Sequence, residues 1–130
     1  MMRFALALAA LALLAVAGCM AGPPAGTGVQ GTVFLGPTCP VQRDPPDPQC
    51  ADRPYAADLA LTTPDGRLAK TFSSDANGTF RVDVEPGTYI IRSAQQDAPS
   101  HPACSSTDGS FVVAAGAYTT VQVSCDTGIR

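Results

Sequence analysis

The chain has 130 residues with eight Lys and Arg against eleven Asp and Glu, a formal net charge of −3, and five Cys, one His and no Trp. That length suits one domain. The acidic balance leaves no basic patch, which argues against nucleic-acid binding and against electrostatic attachment to anionic lipid.

The chain opens on a leader. Met1-Met2-Arg3 is a short basic start, and residues 4–16 are an apolar run rich in Ala and Leu. This is the layout of a secretory signal peptide, too short for a comfortable membrane span. The run closes on Val16-Ala17-Gly18-Cys19, a tetrad that resembles the lipobox of bacterial lipoproteins. The resemblance implies a diacylglyceryl group on the Cys19 sulfur, cleavage after Gly18, and acyl chains such as palmitate on the new first residue. Two or three chains hold a protein on a membrane durably, where one binds marginally. Cys19 is then an anchor, and an even set of four cysteines remains for disulfides in an oxidising compartment. The expected organisation is a signal peptide over 1–18, the lipidated Cys and a flexible tether over 19–27, and one folded domain over 28–130. The expected location is extracytoplasmic, lipid-anchored to a bacterial cell membrane or outer membrane.

Beyond the tether no helical periodicity recurs. Short β-branched and aromatic runs occupy 29–35, 56–63, 68–73, 79–84, 88–93, 110–114 and 118–125. Several alternate: Leu59 and Leu61 against Asp58, Ala60 and Thr62; Phe80, Val82 and Val84 against Thr79, Arg81 and Asp83; Val121 and Val123 against Thr120, Gln122 and Ser124. Period two with one apolar face predicts half-buried antiparallel strands. Pro64-Asp65-Gly66, Asp75-Ala76-Asn77-Gly78 and Glu85-Pro86-Gly87 punctuate them as turns, supplying a preset proline φ, a carboxylate for nearby amides or a residue tolerant of positive φ. Seven short runs with such punctuation predict an all-β sandwich.

Gly31-Thr32-Val33, then Ser74-Asp75-Ala76-Asn77-Gly78-Thr79-Phe80, then Val84-Glu85-Pro86-Gly87-Thr88-Tyr89 resemble the signposts of carboxypeptidase regulatory-like domains. The resemblance implies a seven-stranded antiparallel Greek-key β-sandwich of transthyretin-like (prealbumin-like) type over about residues 28–125. Ser74 and Val84 stand where that family usually has Thr and Leu. The departure is segment 36–54 between the first two strands, where a short turn is usual. Such modules serve unrelated partners, so the resemblance speaks to fold more than function.

That segment contains CPVQRDPPDPQC, residues 39–50. Its four prolines favour extended backbone, and a Cys39–Cys50 bond would clamp it into a stiff loop. It is the candidate partner-binding loop, with Arg43, Asp44, Asp47 and Asp52 as its charged residues, and Asp44, Asp47 and Asp52 as a weak cation site; the plainer reading is a stapled insertion. His101 lies in a polar loop near Cys104, Asp97 and Asp108, without the close spacing of metal ligands, and a disulfide at Cys104 would remove the nucleophile. Transthyretin-like enzymes that hydrolyse 5-hydroxyisourate use several histidines, an arginine and a C-terminal Tyr-Arg-Gly-Ser motif. This chain ends Asp126-Thr127-Gly128-Ile129-Arg130, so that activity is not carried over. Asp75-Ala76-Asn77-Gly78 echoes a calcium loop, but the spacing is short and no Glu follows in place. Asn77-Gly78-Thr79 is formally a glycosylation sequon without default meaning in a bacterial lipoprotein. Tyr55, Tyr89 and Tyr118 are scattered and form no sugar-stacking platform.

Four cysteines allow three connectivities. A hairpin of 110–114 with 118–125, turning at Ala115-Gly116-Ala117, sets residue 125 opposite about residue 107 and brings Cys104 near Cys125. Cys39 then pairs with Cys50. The sequence therefore predicts a non-catalytic lipoprotein module without cofactor or metal. Its partners are the membrane, through Cys19, and an envelope protein rather than nucleic acid. A small-ligand or carbohydrate-binding module is the alternative, and a hydrolase a more distant one.

Overall fold

The computed structural model describes residues 26–95 and 102–129, and every element in it is β apart from one 3-10 turn, Pro48–Cys50. The strands are β1 (Gly28–Gly36), β2 (Arg53–Pro54), β3 (Asp58–Thr62), β4 (Leu68–Ser73), β5 (Thr79–Asp83), β6 (Gly87–Ser93), β7 (Ala103–Ser106), β8 (Phe111–Val113) and β9 (Tyr118–Asp126). All seven predicted runs are strands, with ends shifted by at most two residues. β2 and β7 are additional. β2 is a two-residue edge piece ending in Pro54, which has no N–H for a central ladder. β7 reads Ala-Cys-Ser-Ser, and its inward positions are Cys104 and Ser106, too small and polar to register as an apolar alternation.

The strand order is β2-β1-β9-β7-β6-β3-β4, with β5 also on β1 and β8 also on β6. β1 and β9 run parallel, from Gly28 opposite Tyr118 to Gly36 opposite Asp126. The sheet is therefore mixed and nine-stranded, not seven-stranded and purely antiparallel, because the first and last strands lie side by side in one direction. It curls into a half-barrel. β6 meets β7 through one pair, Arg92 with Ser105.

The predicted hairpin of the last two strands does not form: β8 pairs with β6, and β9 with β7 and β1. The disulfides nevertheless pair as expected, Cys39 with Cys50 and Cys104 with Cys125. Cys104 reaches Cys125 because it stands directly opposite on β7, their Cα atoms 3.9 Å apart.

The predicted apolar faces point inward. Val29, Val33, Leu59, Leu61, Ile91, Val113 and Val123 are fully buried, joined by Phe80, Val82, Val84 and Tyr89; burying each aliphatic side chain stabilises by roughly 1.5–3 kcal/mol. Phe72 and Phe80 pack with ring centroids 5.2 Å apart. Ala60 is also buried, although it alternates with Leu59 and Leu61.

Buried polar groups are satisfied. Ser74 Oγ donates to Tyr55 O and accepts from Ala57 N, both at 2.8 Å. Along β6 the ladder passes from β8 to β7, and Ile91 N–H, at the change, donates to Ser106 Oγ at 3.4 Å. Thr27, assigned to the tether by sequence, is fully buried. Its Oγ1 accepts from Gly116 N at 2.8 Å, and its carbonyl from Val84 N at 3.1 Å. The fixed domain thus starts at Thr27 or before.

The Asp75 turn uses its chemistry as anticipated, whereas Gly87 does not take the positive φ expected of it, and a side chain holds that turn instead. In Glu85-Pro86-Gly87-Thr88-Tyr89, the Tyr89 hydroxyl donates to Glu85 O at 2.7 Å, a tyrosine corner pinning the start of β6. In the turn before β5, Asp75 Oδ1 accepts from the amides of Asn77 and Thr79, both at 2.9 Å, and Oδ2 from Thr79 Oγ1 at 2.6 Å. Gly78 has φ +72°, and a Cβ there would meet Val33 O at 2.4 Å. Its own carbonyl accepts from Val33 N, tying the turn to β1. The carboxylate is spent on the turn, so the calcium-loop echo is turn chemistry.

Tyr89→Phe should lower unfolding free energy by about 1–2 kcal/mol, since the Glu85 carbonyl loses its partner. Urea denaturation with an unchanged m-value would show this, and a loss under about 0.5 kcal/mol would contradict it. The Thr79 hydroxyl, the Thr79 amide and the Asn77 amide hold the Asp75 carboxyl below 3.8. The ionised form therefore favours the fold: its contribution is complete above 3.8 and lost as pH falls through the lower folded value. Asp75→Asn should be less stable than wild type at neutral pH and converge on it in strong acid, as followed by melting temperature against pH.

Candidate functional site

The Pro-rich segment leaves the end of β1 and returns through β2, which pairs with β1 at Phe34–Pro54 and Leu35–Arg53. Its base is stitched at several points. Thr127 Oγ1 donates to Pro37 O at 2.7 Å, Thr127 N to Gly36 O at 3.2 Å, and Thr38 Oγ1 to Ala51 O at 3.4 Å. The Asp52 carboxylate lies against Gly36 so closely that a Cβ there would fall 1.9 Å from Asp52 Oδ1. The Cys39–Cys50 bond closes the segment above this base, with Cα atoms 5.3 Å apart.

Within the loop, Asp47 Oδ1 accepts from Gln49 N at 2.9 Å and caps the 3-10 turn, with Pro48 in its first position. Residues 40–46 are all exposed, and the Val41 side chain is 67% exposed. Arg43, Asp47 and Asp52 line one shallow concavity of about 370 Å³, together with Pro46, Pro48 and Ala51; Asp44 is exposed outside that lining. The structure thus brings together three of the four charged residues expected for the loop.

It does not bring the aspartates together as a cation site. Among the described residues no group of three or more His, Cys, Asp or Glu is placed to hold a metal. Asp47 caps the turn and Asp52 packs on Gly36, so both are committed to building the loop. Cys19, Asp97 and His101 lie outside the described residues, while Asp108 is exposed. Cys104, beside the candidate nucleophile site, is in a disulfide and only 8% exposed, which removes its thiolate chemistry. No helix among the described residues is long and apolar enough to cross a membrane.

A second feature escaped the sequence reading. On the outer side of β5 and β9, the Arg81 guanidinium stacks 3.8 Å from the Tyr118 ring centroid, and the Tyr118 hydroxyl donates to Asp83 Oδ1. That hydrogen bond, burial and the Asp83 charge push the Tyr118 hydroxyl above 10.0. Beside it, Lys70 Nζ donates to Asp83 O at 3.1 Å, linking β4 to β5. Alternation places Arg81, Asp83 and Tyr118 on one face, but only the β1 register, which brings β5 and β9 to either side of it, makes them neighbours.

The position of the loop follows from β1. At one end of β1 the chain arrives through Thr27, beside the Gly116 turn. At the other end the loop departs, with Cys125 opposite Leu35 and both disulfides close by. Nine residues separate these ends, roughly 26 Å at the usual strand rise. No family model matches the chain, and no curated protein matches it.

Opening the 39–50 disulfide with Cys39→Ser/Cys50→Ser should cost about 2–4 kcal/mol, the usual effect of losing a link that restricts the unfolded chain. Because β2 and the Thr127 contacts still hold the loop base, the sheet should stay folded, with unchanged far-ultraviolet circular dichroism. Collapse of the whole fold would show that the staple holds more than the loop.

Proposed function

We propose that this chain is a bacterial lipoprotein: a non-catalytic transthyretin-like β-sandwich, anchored by acylated Cys19 outside the cytoplasm, that presents its stapled Pro-rich loop to an envelope protein. The observation that carries the reading is the placement of tether and loop at opposite ends of β1. A chain held at Cys19 has its anchor on the Thr27 side, and the loop leaves from the far end of a nine-residue strand. Residues 19–25 add a reach of roughly 23 Å if extended.

Other features support it. The leader's Val16-Ala17-Gly18-Cys19 follows the apolar run. Two disulfides suit an oxidising compartment. The Asp75 turn and the tyrosine corner are built from the two motifs that resemble carboxypeptidase regulatory-like signposts. The loop is stiff before any partner arrives, so little ordering entropy is lost on binding, and its proline-rich backbone, Arg43 and exposed Val41 offer a compact docking surface.

Intact-mass analysis of the membrane fraction tests the anchor. Wild-type protein should begin at Cys19 and carry diacylglyceryl and acyl mass, and Cys19→Ser should be neither acylated nor cleaved after Gly18. Wild-type protein that begins elsewhere, or at Cys19 without added mass, would overturn the lipoprotein reading.

A further inference from the structure

Within the Pro-rich loop, Arg43 is the single cation between Cys39 and Cys50. The loop and both its flanks, residues 36–54, lie within the described residues, and Gln42, Arg43 and Asp44 are exposed. Asp47 and Asp52 share a shallow concavity with Arg43, yet neither forms an ion pair with it. Asp47 accepts from Gln49 N, and Asp52 lies against Gly36. Among the described residues the Arg43 guanidinium has no hydrogen-bond, ion-pair or ring partner, and no backbone group of residues 40–46 makes a hydrogen bond.

The loop is nonetheless held in shape. Pro40, Pro45, Pro46 and Pro48 fix their own φ, and each pushes the residue before it toward extended backbone. Val41, Gln42 and Arg43 are the longest stretch free of these restrictions, and their N–H and C=O groups are open to a partner. The Cys39–Cys50 bond and the capped 3-10 turn close the loop behind them. A short stretch with open backbone groups that ends in an Arg matches the substrate cleft of a trypsin-like serine protease. Such a cleft pairs with the chain ahead of the scissile bond as an added strand. The carboxylate at the base of its S1 pocket grips an Arg guanidinium.

We propose that the loop inhibits a trypsin-like serine protease, with Arg43 in the S1 pocket and the Arg43–Asp44 bond at the protease's serine. This rests on the loop being the partner-binding surface and names the class of partner. Stiffness favours tight docking, because little freedom is lost on binding. Turnover is opposed twice. The Asp44 carboxylate works against the negative charge that develops on the Arg43 carbonyl oxygen during attack. If the acyl-enzyme does form, the Arg43–Asp44 bond breaks and the serine's proton passes to the Asp44 amine. The Cys39–Cys50 bond keeps that amine within reach. Its attack on the acyl-enzyme restores the bond, and the serine regains its proton.

The test mixes protein purified from its own cells in mild detergent with pancreatic trypsin, and follows hydrolysis of a small chromogenic arginine amide. The wild type should inhibit competitively with a Ki below about 10 μM, and mass analysis should find its 43–44 bond largely intact. Arg43→Ala should weaken inhibition at least about thirtyfold. Arg43→Phe should lose trypsin and inhibit chymotrypsin, whose S1 pocket is apolar, a gain that a misfolded variant could not show. Cys39→Ser/Cys50→Ser should be cut to completion after Arg43. No inhibition at about 100 μM, complete cleavage after Arg43 in the wild type, or inhibition that survives Arg43→Ala would each overturn the proposal. The anchor and the orientation of the loop are read by other measurements, so they stand or fall separately.

Discussion

The parallel pairing of β1 with β9 is the contact on which the rest of the domain is hung. It joins nearly the two ends of the described chain, residue for residue from Gly28 with Tyr118 to Gly36 with Asp126. The other edge of β1 is shared, β5 taking its first half and β2 its second. The strand thus carries three neighbours, the arrival of the chain at Thr27 and the departure of the loop at Gly36. Such pairing closes a long stretch of chain before it gains contacts, and topologies of this kind fold slowly. The short-range devices, the Asp75 turn and the tyrosine corner, prepare strands locally so that this long closure has preformed edges to meet.

Much of this was legible from residues. Strands with large alternating side chains, such as 79–84 and 118–125, announce both their existence and their inward face. The parts that were not legible share one physical cause: they are fixed by a neighbour rather than by their own side chains. β7 is a strand because β9 pairs with it and Cys125 is opposite Cys104. Direction and neighbour are also properties of pairs, so an alternating pattern cannot reveal that β9 runs parallel to β1 or that β8 chooses β6 over β9. The disulfide reading reached the right partners by a route the fold does not take. At the loop, the sequence identifies a charged, proline-stiffened segment, but not that Asp47 and Asp52 are used to build it.

These placements give the molecule two differently built ends. The Thr27 end is sealed by the Thr27 hydroxyl, which accepts from Gly116 N, and by the Thr27 carbonyl, which accepts from Val84 N. The far end holds both disulfides and, among the described residues, the most exposed large apolar side chain, Val41. Covalent links placed beside a projecting loop keep it in one shape without a deep core beneath it. We propose that the sheet between the two ends is a spacer that holds the loop clear of a membrane.

The most direct test of that orientation is depth measurement on the lipidated protein in vesicles, with a spin-labelled non-canonical amino acid at position 41 or at position 115, an exposed alanine beside Gly116. A nickel chelate carried on lipid headgroups broadens only labels near the bilayer surface. The label at 115 should be broadened and the label at 41 should not, because about 26 Å of strand separates their ends of β1. Broadening at 41 equal to or greater than that at 115 would mean that the loop faces the membrane, and would contradict the spacer account.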